Sequence, residues 1–220
     1  MAWVSIPLIF LALSVALSVQ RAAAADASAP STDVQPVEAI WKQQEFSVHF
    51  QSFTTFYSCT GLESKLERLL KALGAQDAKV RVRSPECPTT VARMPRVMVQ
   101  ARSPVEATPE AIAERDKNKS TRELAARVQG KSGEASEITE QFPATWKRVS
   151  LSRGSLGLEP GDCELIDELR RKVLPRLQVR VINDKVSCSP NSIQLGQPQL
   201  EVEALVAQPK PDEKGKQENR

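Results

Sequence analysis

A single histidine, His49, serves the whole 220-residue chain. Any serine or cysteine nucleophile would have to rely on it as general base, and no G-x-S-x-G elbow accompanies it. The run GSLG at residues 154–157 lies in a loop before a helix rather than directly behind a strong strand. The phosphate loop, the dinucleotide fingerprint and the metal-binding run are missing too. No C-x-x-C pair occurs, which removes the usual arrangement of a disulfide oxidoreductase. An excess of charge is also absent. Against 27 Asp+Glu stand 30 Lys+Arg, a formal net charge of +3 that falls by one if Arg21 leaves with a signal segment. Such a balance excludes the strong electrostatic footprint of a nucleic-acid binder. No catalytic residue and no cofactor is expected.

What is present begins with an apolar run, WVSIPLIFLALSVALSV from Trp3, followed by Gln20-Arg21 and the small residues Ala22 to Ala25. An apolar segment before a small-residue site predicts a signal peptide over 1–25, cleaved near Ala24 or Ala25, and a periplasmic or secreted protein. The run is of borderline length to span hydrocarbon, so the membrane is a partner only if the segment stays uncleaved. No cysteine follows it closely, which argues against a lipid anchor. Residues 26–40 are read as a flexible segment. The end of the chain, QPKPDEKGKQENR over 208–220, has nothing apolar to bury and is read as a disordered tail.

The four cysteines divide evenly between two stretches built on one plan. Cys59 heads the amphipathic stretch LESKLERLLKALGA, a basic strand KVRVRS follows, and Cys87 precedes Pro88. Cys163 heads ELIDELRRKVLPRL, QVRVIND follows, and Cys188 is succeeded by Ser189-Pro190. An even cysteine set in an exported chain reads as disulfides, and of three connectivities the matching positions favour Cys59–Cys87 and Cys163–Cys188.

The local patterns predict a β-α-β-β order in each stretch. Phe46, Val48 and Phe50 alternate with Ser47 and His49 as a half-buried strand, with a bulge or turn near Gln51-Ser52. Thr60 and Glu63 form an S/T-x-x-E capping box. Leu62, Leu66, Leu69 and Leu73 make a helical stripe that Gly74 stops. Val80 and Val82 mark a second strand and RVMVQARSPV a third. In the second stretch, Trp146 to Ser152 is the first strand, Asp162 the N-cap, and Leu165, Leu169 and Val173 the stripe ended at Pro175. Val179 and Val181, then QLEVEALV, complete it. The repeats span 41–105 and 142–207. A polar, partly helical linker at 106–141 lies between them, with a helix start at Thr108-Pro109-Glu110 and another turn at TRELAARV.

Candidate chemistry is thin. Cys59 and Cys163 sit at predicted helix N-termini, where a free thiol would be acidified, but two structural bridges account for them better. Glu67–Lys71, Asp167–Arg171 and Glu168–Lys172 are read as surface i,i+4 pairs. Two features suit partner binding. Lys79, Arg81 and Arg83 share a strand face, with Arg180 at the equivalent place in the second stretch. Trp41, Phe46, Phe50, Phe53, Phe56 and Tyr57 crowd into one segment, and the last three are not claimed by the strand's core phase. The candidate contact residues are therefore Phe53, Phe56, Tyr57, Arg81 and Arg83.

FTTFYSCTGLESKLERLLKALGA and GDCELIDELRRKVLP resemble segments of small exported proteins of Gram-negative bacteria that carry no assigned activity. The resemblance covers both stretches and all four cysteines, and it implies an envelope location. The expected fold is α+β, with tandem β-α-β-β repeats, each pinned by a disulfide, and helices packed on one side of a sheet. The expected role is a non-catalytic binding or structural module. Its partner would be an envelope protein or an anionic surface component. The alternative is a hydrolase-like or thiol-redox enzyme with an unrecognised site.

Overall fold

The computed structural model describes residues 35–87, 91–92, 94–117, 124, 128, 140–152, 154–188 and 199–209. The expected signal peptide, nearly all of the TRELAARV turn and most of the tail lie outside these residues. The described chain is α+β. Its elements are β1 (Val37–His49), β2 (Tyr57–Ser58), α1 (Cys59–Ala72), β3 (Gln76–Arg83), β4 (Val91–Ala92), β5 (Arg96–Glu106), α2 (Pro109–Lys117), β6 (Phe142–Ser152), α3 (Cys163–Glu168), β7 (Val179–Lys185) and β8 (Gln199–Ala207). Six strands form one sheet in the order β3-β5-β1-β6-β8-β7, and β2 pairs with β4 in a small second sheet. Every pairing is antiparallel. The sheet is joined at its middle by a short overlap, Val37 to Ala39 of β1 against Ala144 to Phe142 of β6.

Period-two alternation sets the faces. In β1, Phe46 and Val48 pack against the core and Phe50 just beyond it is buried, while Ser47 and His49 face outward. β1 starts earlier than the sequence pattern suggested, so Val37 to Ile40 belong to a strand rather than to a flexible segment. Pairing to β5 on one side and β6 on the other satisfies this stretch, and Ala39, Ile40 and Trp41 are all buried. Beyond the turn expected near Gln51-Ser52, residues 51–56 form a loop and only Tyr57–Ser58 is strand.

α1 buries Leu62, Leu66, Leu69 and Leu70, the predicted stripe with one neighbour, and Gly74 (φ 86°) follows with Leu73 also buried. A side chain at Gly74 would also collide with the Leu205 carbonyl, since a Cβ there would lie 2.3 Å from that oxygen. The start of the helix differs from expectation. Ser58 is the N-cap, its Oγ accepting from the Gly61 amide at 3.1 Å. Glu63 and Glu67 instead reach across to the outer strand β3, accepting from the Val82 and Val80 amides at 2.8 and 2.9 Å. Those amides lie on an edge strand that would otherwise expose donors, so α1 closes the edge. The Glu67–Lys71 pair is thereby replaced by a backbone contact.

α3 begins at Cys163 as predicted, but Asp162 makes no capping bond to it. The winding widens to a π turn over Leu169–Val173 and tightens to a 3-10 turn over Leu174–Arg176. Pro175 has no amide to continue an α ladder, which accounts for the change of pitch ahead of it. Leu165 and Ile166 of α3 and Leu169 of the π turn share one hydrophobic cluster with Leu62, Leu66 and Leu69 of α1. Val80, Val97, Val149 and Val202 from the strands complete it. Fully burying a leucine is worth roughly 1.5–3 kcal/mol, so this common core dominates stability. α2 begins at Pro109, as the Thr108-Pro109-Glu110 signal predicts, and buries nothing.

Candidate partner-binding surface

The two predicted disulfides are present. Cys59–Cys87 has its Cα atoms 6.0 Å apart and Cys163–Cys188 has them 5.8 Å apart, and no cysteine is free. Each ties a helix N-terminus to the segment after the following strand. Both suit an oxidising, extracytoplasmic setting. Among the described residues, no helix is long and apolar enough to cross a membrane.

The loop between β1 and β2 is where the first stretch meets the second. Ser52 is buried and donates to Glu164 Oε2 at 2.5 Å. The same oxygen accepts from the Phe53 and Thr54 amides at 2.8 and 3.0 Å. Burial raises the Glu164 pKa, but the bonds from Ser52, Thr54 and Phe53 outweigh it and hold the carboxyl below its ordinary value. Thr55 Oγ1 donates to the Gly161 carbonyl at 2.8 Å, and a Cβ on Gly161 would lie 2.6 Å from that hydroxyl. Glycine is required there for close approach.

One residue from the end of the loop, Tyr57 turns inward. Its hydroxyl donates to Asp162 Oδ1 at 2.5 Å, and Lys65 Nζ from α1 holds Oδ2 at 2.7 Å. The Glu159 amide donates to the same Oδ2 at 2.7 Å. Asp162 is 1% exposed, so its charge is compensated entirely by these partners. Burial first, then the bond to Asp162 and the nearby carboxylates, push the Tyr57 hydroxyl far above its ordinary pKa. Asp162 thus stands at the N-cap position of α3, but its side chain tethers the two stretches and caps the preceding 3-10 turn instead of bonding to α3.

This clamp fixes the loop while leaving part of it in solvent. Phe53 is 55% exposed and Phe56 is 44% exposed, whereas Tyr57 is 9% exposed. The structure therefore brings two of the three candidate aromatics to the surface. Tyr57 is an interior residue because its hydroxyl finds a charged partner in α3's lead-in. Trp41 stacks on Phe142 with ring centroids 4.6 Å apart. Phe46 and Phe50 belong to the core, as their strand phase predicts.

The basic residues lie on the outer face of the neighbouring strands. Lys79, Arg81 and Arg83 are exposed and alternate with buried Ala78, Val80 and Val82. Across the sheet, Arg83 stands opposite Arg96 of β5, and Arg96 opposite His49 of β1. Arg81 stands opposite Met98, which is 40% exposed. Arg96 and Met98 had not been singled out, although their exposed phase is legible in the alternation of RVMVQAR. Among the described residues Lys79, Arg81, Arg83 and Arg96 form no ion pair; of the acids on these strands, Glu45 accepts from Gln100 and Asp77 pairs with Arg102. Arg180, the expected counterpart in the second stretch, differs. It stacks 3.7 Å above the Trp146 ring and pairs with Glu106 at 3.2 Å, so its charge is already engaged. Of the other expected pairs, Asp167–Arg171 forms at 2.9 Å and Glu168–Lys172 at 2.5 Å, but Glu168 is buried rather than on the surface.

No protein-family model, curated protein or solved structure matches this chain.

Proposed function

We propose that the protein is an exported, non-catalytic binding module of the bacterial envelope, the location that its resemblance to small exported proteins implies. Its contact surface is the end of the first stretch, which carries Phe53 and Phe56 on the β1–β2 loop and Arg81 and Arg83 on the exposed phase of β3. The observation that carries this reading is the combination of exposure with restraint. Two phenylalanines stand in solvent on a loop whose backbone amides are held by a buried carboxylate. Exposed aromatics on a preordered loop bind with little further loss of conformational freedom.

The architecture is read as a duplication. The order β3-β5-β1 on one side of the join is matched by β7-β8-β6 on the other, and the helices and bridges fall at corresponding places. One copy then carries the contact loop, and the other supplies Asp162 and Glu164 to hold it. The remaining segments, a cleaved signal over 1–25 and a tail over 208–220, fit an exported module.

The test is affinity capture from envelope extract with the oxidised exported chain, run beside Phe53→Ala/Phe56→Ala. The double variant should fold normally and lose what the parent captures. Equal capture by both would refute the surface assignment.

A further inference from the structure

We propose that the partner of this surface is an anionic lipid bilayer, on which the protein docks peripherally through the end of its first stretch. This rests on the binding-module reading above, names its partner, and replaces the expectation of a membrane contact only through an uncleaved signal segment with peripheral docking that needs no such segment. Arg83 and Arg96 are directly cross-strand, with His49 next in the same row, and Lys79 and Arg81 follow on the same face. Like charges placed opposite one another disfavour the folded sheet. None of the four cations has an ion-pair partner among the described residues, so the arrangement is suited to anions supplied from outside.

The second observation is where apolar side chains sit relative to this row. His49 leads into the loop bearing Phe53 and Phe56. Arg96 is preceded, two residues earlier, by Met94, which is 68% exposed. Two residues of extended chain span at most about 7 Å. Val91, 45% exposed, pairs with Ser58 in the small sheet, one residue beyond Tyr57 and two beyond Phe56. Exposed apolar side chains thus stand in both connections at this end of the strands, the outer face of β3 and β5 is cationic, and Met98 stands between Arg81 and Ser47 within that face. A bilayer presents the complementary sequence, an acyl boundary beneath a layer of phosphates. A soluble polyanion would use the arginines but leave Phe53, Phe56 and Met94 in water. A soluble protein would use the aromatics and have to bring acids of its own.

The experiment uses the oxidised chain recovered after export, with vesicles of phosphatidylcholine alone or with about one third phosphatidylglycerol. Binding should require the anionic lipid and weaken as salt rises. Each basic residue at such a surface is worth about fivefold in affinity, so Arg81→Gln/Arg83→Gln/Arg96→Gln should lose roughly a hundredfold. Phe53→Ala/Phe56→Ala should lose about tenfold or more. A control that removes the same charge elsewhere, Lys71→Gln/Arg148→Gln/Lys185→Gln, should bind as the parent does. The inference is overturned by equal binding to neutral and anionic vesicles, or by a control that loses as much as the arginine variant. Retention on soluble polyphosphate without vesicle binding overturns it as well. If vesicles fail but a soluble envelope protein is captured through Phe53 and Phe56, the bilayer is excluded and the contact surface stands. If neither binds, both readings fall.

Discussion

Tyr57 and Phe56 are neighbours in sequence with opposite fates, and the difference lies in one hydroxyl. Tyr57 can donate to Asp162, a buried carboxylate that also needs Lys65, whereas Phe56 has no polar group to offer that site. Removing the donor with Tyr57→Phe leaves Asp162 short of one bond. A hydrogen bond to a charged group contributes about 1.5–3 kcal/mol, so urea unfolding of Tyr57→Phe should show a loss of that order. Phe53→Ala, by contrast, removes a side chain that stands in solvent and should change stability by no more than about 0.5 kcal/mol in the same assay. Gly161→Ala forces Thr55 to move, because a Cβ there would lie 2.6 Å from its hydroxyl. It should loosen the loop and raise amide exchange at Phe53 and Thr54 without abolishing the fold.

At the scale of elements, the clamp joins a loop from the first stretch to the lead-in of α3. Its pH dependence follows from the two shifted groups. Glu164 is held below its ordinary pKa in the folded state, so its contribution is complete above the unfolded value of about 4.3 and is lost as pH falls through the lower folded value. Tyr57 is shifted upward, so its contribution is complete below the unfolded value of about 10 and declines as pH rises beyond it. Thermal unfolding across pH should show both limbs. Glu164→Gln should flatten the acid limb and Tyr57→Phe the alkaline one. These elements also show what a sequence can reveal. The leucine stripe of α1, the alternation of β3 and the start of α2 are local signals, and they appear where expected. The Thr60–Glu63 capping box fails because Ser58 caps two residues earlier and the β3 amides compete for Glu63. Tyr57 could not be separated from its exposed neighbours, since Asp162 lies 105 residues away. The grip of Glu164 on Ser52 spans 112 residues and leaves no local trace.

For the molecule as a whole, a main core, a small cluster of Ala39, Ala144 and Leu205 at the central overlap, and two covalent pins hold the sheet together. Each bridge closes a loop of under thirty residues, with sequence separations of 28 and 25. The chain-entropy account assigns about 3.5 kcal/mol to a bridge of this size. Cys163→Ser/Cys188→Ser should therefore lower unfolding stability by about that amount, and because α3 and the turn just before it carry the clamp carboxylates Glu164 and Asp162, it should weaken partner capture as well. Stability and binding are coupled only on that side. Substitutions at Phe53, Phe56, Arg81 and Arg83 should alter binding while leaving unfolding unchanged. The most direct measurement is site-specific photo-crosslinking in the intact envelope, with a benzophenone side chain placed at Phe53 or, as a control, at Val181 on the far edge strand. The contact-surface account predicts adducts with an envelope lipid or protein from position 53 and none from 181. Adducts from 181 alone, or equally from both, would contradict it.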